Sequence, residues 1–161
     1  EDWTVDVHAM VARPSEHVDA IIAKNPSLIV FHTEIQEDLL PTLEKIKAAG
    51  IKVGVSLLKT TVPQTVKHLI EVCDHVLVFS GELGYHGGTA SMMQLEKVRL
   101  IHDIRPNIEI GWDGGVSVDN AFTLSRGGID ALNVGGAIAG SDDPAGVYEQ
   151  LVAEINKHGV L

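Results

Sequence analysis

The chain has 161 residues, 45% hydrophobic and 21% charged, which supports one substantial core and leaves little for a second. A formal charge of -10 excludes nucleic acid and anionic membrane surfaces as partners drawn in by the long-range field, so an anionic ligand must be met by local donors. No apolar run reaches the ~18 residues of a membrane span, no stretch reads as a signal peptide, and the lone Cys73 allows no internal disulfide; a buried structural thiol and a cytoplasmic, reducing location are expected.

Taken in chain order, hydrophobic periodicity predicts a strand in "TVDVHAMV" (4–11), a helix in "SEHVDAIIAK" (15–24) and a strand in the branched run "SLIVFHTE" (27–34). "QEDLLPTLEKIKAAG" (36–50) reads as a helix closed by Gly50, and "IKVGVSLL" (51–58) as the next strand. "PQTVKHLIEVC" (63–73) and "HVLVFS" (75–80) form another helix and strand, followed by "SMMQLEKVRLIHDI" (91–104) and "NIEIGW" (107–112). Ser117 caps a helix over "VDNAFTLSRGG" (118–128), "DALNVGG" (130–136) is a short strand, and Asp143-Pro144 opens a last helix to Lys157.

Six strands, each followed by a helix through short connections, imply a parallel sheet. No GxGxxG follows the first strand, which weakens an open dinucleotide-binding sheet. The other form is an α/β TIM (β/α)8-type barrel, which typically runs to about 250 residues. The expectation is therefore one domain, residues 1–161, with about six of the eight βα units and the first two lacking. The chain enters a strand within a few residues of its start and has no initiator methionine, so an upstream portion is expected to be missing.

In such a barrel, chemistry belongs at the C-terminal ends of the strands. Alternation puts Asp6, His8 and Met10 on one face of the first strand and Val5 and Val7 on the other, an unusual polar inner face for a purely structural strand. His32 and Glu34 share a face at the end of the second strand, and Asp113 ends the strand in "IEIGWDGGV" (108–116). Singly, His8 reads as well as a satisfied core histidine, and Asp113-Gly114 as ordinary turn chemistry. Together they make half of a site for a hard or borderline divalent cation; His32 and Glu34 either complete it or orient its ligands by hydrogen bonds.

Three glycine pairs follow late strands: Gly87-Gly88, Gly114-Gly115 and Gly135-Gly136. Each alone reads as a tight turn, but together they read as backbone donors for a phosphate. "SGELGYHGGTA" (80–90) is long enough for a lid and equally suits a surface loop.

Over essentially its whole length the chain resembles the ribulose-phosphate 3-epimerases, barrel isomerases of the pentose phosphate pathway and Calvin cycle. The resemblance is carried in order by "DVHAMV", "FHTE", "KVGVSL", "VLVFSGELGYHGG", "WDGGV" and "NVGGAI". It implies metal-assisted epimerisation of a phosphorylated pentose, between D-ribulose 5-phosphate and D-xylulose 5-phosphate, with a divalent cation (Zn, Fe or Mn). His8 would be a metal ligand, and Asp113 both a ligand and one of two acid-base carboxylates. Met10 would line the metal side of the pocket, and Gly88, Gly114, Gly115, Gly135 and Gly136 would lie along the phosphate. The family's HxDxMDG strand, carrying a further histidine and aspartate, has no counterpart here. Phe79, Leu83, His86, Lys59 and Gly136 depart from the family pattern. Two other readings therefore stand beside an active epimerase: an inactive phosphosugar-binding relic, and a truncated form of a full-length enzyme. A hexulose-phosphate synthase is disfavoured because its Asp-x-Lys-x-x-Asp strand is absent. Open strand edges on an incomplete barrel lead us to expect a homo-oligomer.

Overall fold

Branched apolar runs occupy the six segments predicted as strands, and the computed structural model, which describes residues 3–85 and 88–157, forms a strand in each. These are β1 (Asp6–Ala9), β2 (Leu28–His32), β3 (Lys52–Leu57), β4 (His75–Phe79), β5 (Glu109–Asp113) and β6 (Ala131–Asn133). They pair in chain order and all in parallel, giving a six-stranded half-barrel. Among the described residues, β1 and β6 each have a strand neighbour on one side only.

The crossovers are α1 (Val18–Ile22), α2 (Leu40–Ala48), α3 (Lys67–Ile70), α4 (Glu96–Ile104) and α5 (Val118–Arg126), with α6 (Gly136–Ala139) and α7 (Pro144–Ile155) after the last strand. Three helices are shorter than predicted because tight 3-10 turns precede them: Pro14–Glu16 before α1, Pro63–Val66 before α3 and Met92–Leu95 before α4. Proline suits the first two, since it needs no N–H donor at a helix start. The predicted start of α2 at residue 36 is corrected to Leu40. Pro41 fits only a first turn, and the Glu37 carboxylate is engaged instead by the Ser15 N–H and hydroxyl, each donating at 2.7 Å. The strand predicted through Gly136 ends at Asn133, and its last glycine begins α6. Cys73 is buried, as expected, but lies beyond the end of α3. Gly50 follows α2 with a left-handed φ of 77, and Asp143 accepts a hydrogen bond from the Gly146 N–H at 3.0 Å, so these two of the three predicted caps form, and Ser117 forms the third as a capping box with Asn120.

Period-two alternation divides the sheet. Ile29, Phe31, Val53, Val55, Val76, Val78, Ile110 and Trp112 belong to the main core shared with the helices, whereas Leu28, Val30 and Leu77 form a separate cluster on the inner face. A repeated aspartate sets the register. Asp74, just before β4, accepts from the Val53 N–H of β3 at 3.1 Å, and Asp130, just before β6, accepts from the Ile110 N–H of β5 at 2.8 Å. Near the N-terminal end of the inner face, the buried His75 ring lies 2.8 Å through Nδ1 from Glu109 Oε1. A Cβ on Gly111 would stand 2.6 Å from His75 Nε2, so a glycine inside this strand admits the ring.

Candidate functional site

The opposite, C-terminal rim gathers the polar strand ends. Asp113 closes β5 and His8 lies on β1, two strands 105 residues apart in the chain, yet His8 Nδ1 is 3.1 Å from Asp113 Oδ2. On its other side, His8 Nε2 is 2.9 Å from His32 Nε2, so one of these nitrogens carries the proton and the other accepts it. His32 Nδ1 lies 3.4 Å from Glu34 Oε2 without the alignment of a hydrogen bond. Phe79, at the end of β4, stands edge-on to both imidazoles, its ring centroid 5.8 Å from that of His8 and 5.2 Å from that of His32. Among the described residues, the buried Nδ1 of His32 and Oγ of Ser56, on adjacent strands, find no hydrogen-bond partner, leaving polar demand unmet beside the rim.

Glu34 is held from behind. Burial pushes its carboxyl upward, but contacts from His32, Thr61, the Leu58 N–H and Thr33 outweigh that and lower it to about 2. The Leu58 N–H donates at 3.0 Å, and the Thr61 hydroxyl donates to the same oxygen. Because the folded value lies below the ordinary value of 4.5, the stabilisation is present above about pH 4.5 and is lost as pH falls towards 2. It amounts to at most about 3 kcal/mol. Glu34→Gln should therefore melt below the parent chain at neutral pH, with the gap closing on acidification; a gap that stays constant would refute the assignment.

Asp113 and Phe79 open on a cleft of about 930 Å³ lined also by Met10, Gly114, Gly115, Gly135 and Gly136, and by residues of the β4–α4 loop that include Gly81, Tyr85 and Gly88. Gly87 lies outside the described residues. The glycines are not equivalent. Gly114 has φ 108, and a Cβ there would stand 2.2 Å from the Gly81 nitrogen; Gly115 has φ 70, and its Cβ would stand 2.2 Å from the Ala90 nitrogen. Both are required by close approach of the β4–α4 loop, whatever else they do. Among the described residues, nothing lies within 4 Å of a Cβ built on Gly88 or Gly135, so packing against those residues does not account for these two.

The loop base is pinned as well: the Ser80 N–H donates to the Asp113 carbonyl at 2.7 Å, and the Ser80 hydroxyl accepts from the Ser91 N–H at 2.7 Å. Asn120 ties down the other side, accepting from the Ser117 N–H at 2.9 Å and donating to the Gly115 carbonyl at 2.8 Å. Ser80, Gly81 and Asn120 were not among the predicted site residues. The Ser117-to-Asn120 spacing of a capping box was the available signal for Asn120.

The imidazole of His8 and the carboxylate of Asp113 have the donor chemistry of a borderline divalent ion. Among the described residues, no group of three or more histidine, cysteine, aspartate or glutamate side chains is arranged to hold one. The pair fits as part of a metal site.

The Ribulose-phosphate 3 epimerase family model matches residues 1–139. The chain is 31% identical over 151 residues to the cytoplasmic isoform of ribulose-phosphate 3-epimerase from Oryza sativa, covering 91% of this chain and 66% of that protein. It is 33% identical over 143 residues to the Helicobacter pylori ribulose-phosphate 3-epimerase, covering 86% and 66%. It is 30% identical over 152 residues to the chloroplastic enzyme of Arabidopsis thaliana, covering 89% and 53%. The chain thus spans about half to two thirds of the length of these relatives. Among solved structures, 3-hexulose-6-phosphate synthase from Salmonella typhimurium superposes with a TM-score of 0.75 at 20% identity, covering 96% of this chain and 74% of that one. Tryptophan synthase from Mycobacterium tuberculosis gives 0.69 at 14% identity, covering 94% and 62%. At these identities the structural likeness shows the fold alone, a TIM-barrel architecture.

Proposed function

The chain belongs to the ribulose-phosphate 3-epimerase family, and on that footing we propose that its C-terminal rim serves proton transfer at C3 between D-ribulose 5-phosphate and D-xylulose 5-phosphate. The observation that carries this reading is the meeting of His8 at 3.1 Å with Asp113, which lines a cleft large enough for a sugar phosphate. Asp113, partly exposed to the cleft, takes the proton from the carbon beside the ketone. His8 fixes the carboxylate from behind, and His32 holds His8 through the Nε2–Nε2 contact at 2.9 Å. The open backbone at Gly88 and Gly135, with Gly136 beside them on the cleft lining, suits the phosphate end. A divalent ion of the Zn, Fe or Mn class, held in part by His8 and Asp113, would supply Lewis-acid stabilisation of the enediolate oxygens.

Inversion needs a proton carrier on each face of the substrate, because one carboxylate cannot cross the plane. Among the described residues lining the cleft, Asp113 is the one carboxylate. The 161-residue chain is therefore expected to exchange the C3 proton with solvent without forming the epimer. Incubation with ribulose 5-phosphate in D2O, followed by NMR, tests this: deuterium at C3 without xylulose 5-phosphate is the expected result. Efficient epimerisation would overturn the single-carboxylate argument. Binding without exchange would instead establish the phosphosugar-binding relic, a reading favoured by the same missing carboxylate.

A further inference from the structure

Among the described residues, Lys97 is the one buried lysine. It lies on α4 between the helix surface and the core that Val98 and Ile101 join, and its ammonium donates to the Leu58 carbonyl just past the end of β3. Burying an ammonium is costly, and a leucine or methionine would fill the space more cheaply. Leu58 is held from both sides. Its carbonyl accepts from Lys97, while its N–H donates to Glu34 Oε1 at 3.0 Å, the oxygen that the Thr61 hydroxyl also reaches. The other oxygen of Glu34 faces His32 Nδ1 at 3.4 Å, and His32 Nε2 faces His8.

We propose that Lys97 is a positioning residue for the His32–His8 pair, acting through Leu58 and Glu34 to set the orientation of the His32 ring. The proposal rests on the rim being the reacting site only for the sense of the word positioning; the geometric claim stands apart from turnover. Burial lowers the Lys97 ammonium to about 8, against the opposing pull of the Glu34 charge, so the two groups sense one another. A lysine that merely ties α4 to β3 would affect stability and leave the imidazoles undisturbed.

The test is NMR of the full chain carrying 15N-labelled histidine, metal-free and at fixed neutral pH, with melting temperatures recorded alongside. Lys97→Met is expected to move the His32 ring signals in the same direction as Glu34→Gln, and the double variant to move them no further than Glu34→Gln alone. Lys97→Arg, which keeps the charge and a donor, should return them towards the parent positions. Should Lys97→Met fail to fold, Lys97→Gln, shorter by one bond and uncharged, is expected to shift the same signals. His32 signals unmoved by a neutral substitution at Lys97, while Glu34→Gln moves them, would overturn the proposal, as would simple additivity in the double variant. Assaying C3 exchange in parallel samples supplied with Zn, Fe or Mn separates the two claims, because a parent chain with no exchange under those conditions and an intact Lys97 effect defeats the epimerase reading alone.

Discussion

Asp113→Asn is expected to lower C3 proton exchange by about 100- to 10,000-fold, the range typical for loss of a general acid-base group. Asparagine keeps the volume and still faces His8, so the fold should be unaffected: the side chain is partly exposed, and its 3.1 Å contact with His8 is replaceable by an amide hydrogen bond. The loss should appear mainly in turnover, because Asp113 is assigned the proton transfer and part of the hold on the divalent ion, whereas the phosphate end of ribulose 5-phosphate is assigned to glycine backbone. Exchange rates from deuterium incorporation, set beside calorimetric binding of the sugar phosphate, give both quantities. An exchange rate within a few-fold of the parent would remove Asp113 from the chemistry.

The second large effect concerns stability. Gly114→Ala should destabilise the chain by about 2–4 kcal/mol, combining the strain of a left-handed residue with overpacking, and should lower the melting temperature by on the order of 10 °C. The reason is geometric. At φ 108, the new methyl would stand 2.2 Å from the Gly81 nitrogen and 2.7 Å from the Ser80 carbonyl carbon, both backbone atoms that cannot rotate away. The Ser80 N–H bond to the Asp113 carbonyl lies in the same contact and would be lost with it. Gly135→Ala is the control, since no atom lies within 4 Å of its Cβ and its φ of -107 is ordinary. It should leave stability within about 0.5 kcal/mol while weakening the binding of the phosphate end. Equal melting temperatures for the two variants would show that the close approach does not constrain the fold.

The strands were legible because branched apolar runs bounded by turn residues have few alternatives, and the His8–Asp113 meeting was legible because both residues lie at or next to the C-terminal end of a strand. Helix starts were less so. The 3-10 turns before α1, α3 and α4 keep the same apolar spacing as an α-helix, so periodicity alone does not separate them. Gly114 and Gly115 were read as lying along a phosphate from their place after a strand and from the family resemblance; their close packing on backbone at Gly81 and Ala90 is a further demand that leaves no mark in the sequence beyond the glycines themselves. Lys97 was invisible for a related reason. A lysine within an amphipathic helix reads as solvated, and its hydrogen-bond partner here is a main-chain carbonyl rather than a residue with a recognisable side chain.

The uniform direction of the six strands also gives the sheet a polarity. The flank of β1 and the flank of β6 are different surfaces, and a neighbour that prolongs the parallel pairing from one to the other enters with the same heading as the strands it joins. Two copies joined in this way could not meet through one patch related by a dyad. They would stack tail-to-head, and such a heterologous contact has two geometric ends: it curves back to a ring, or it propagates as a fibre.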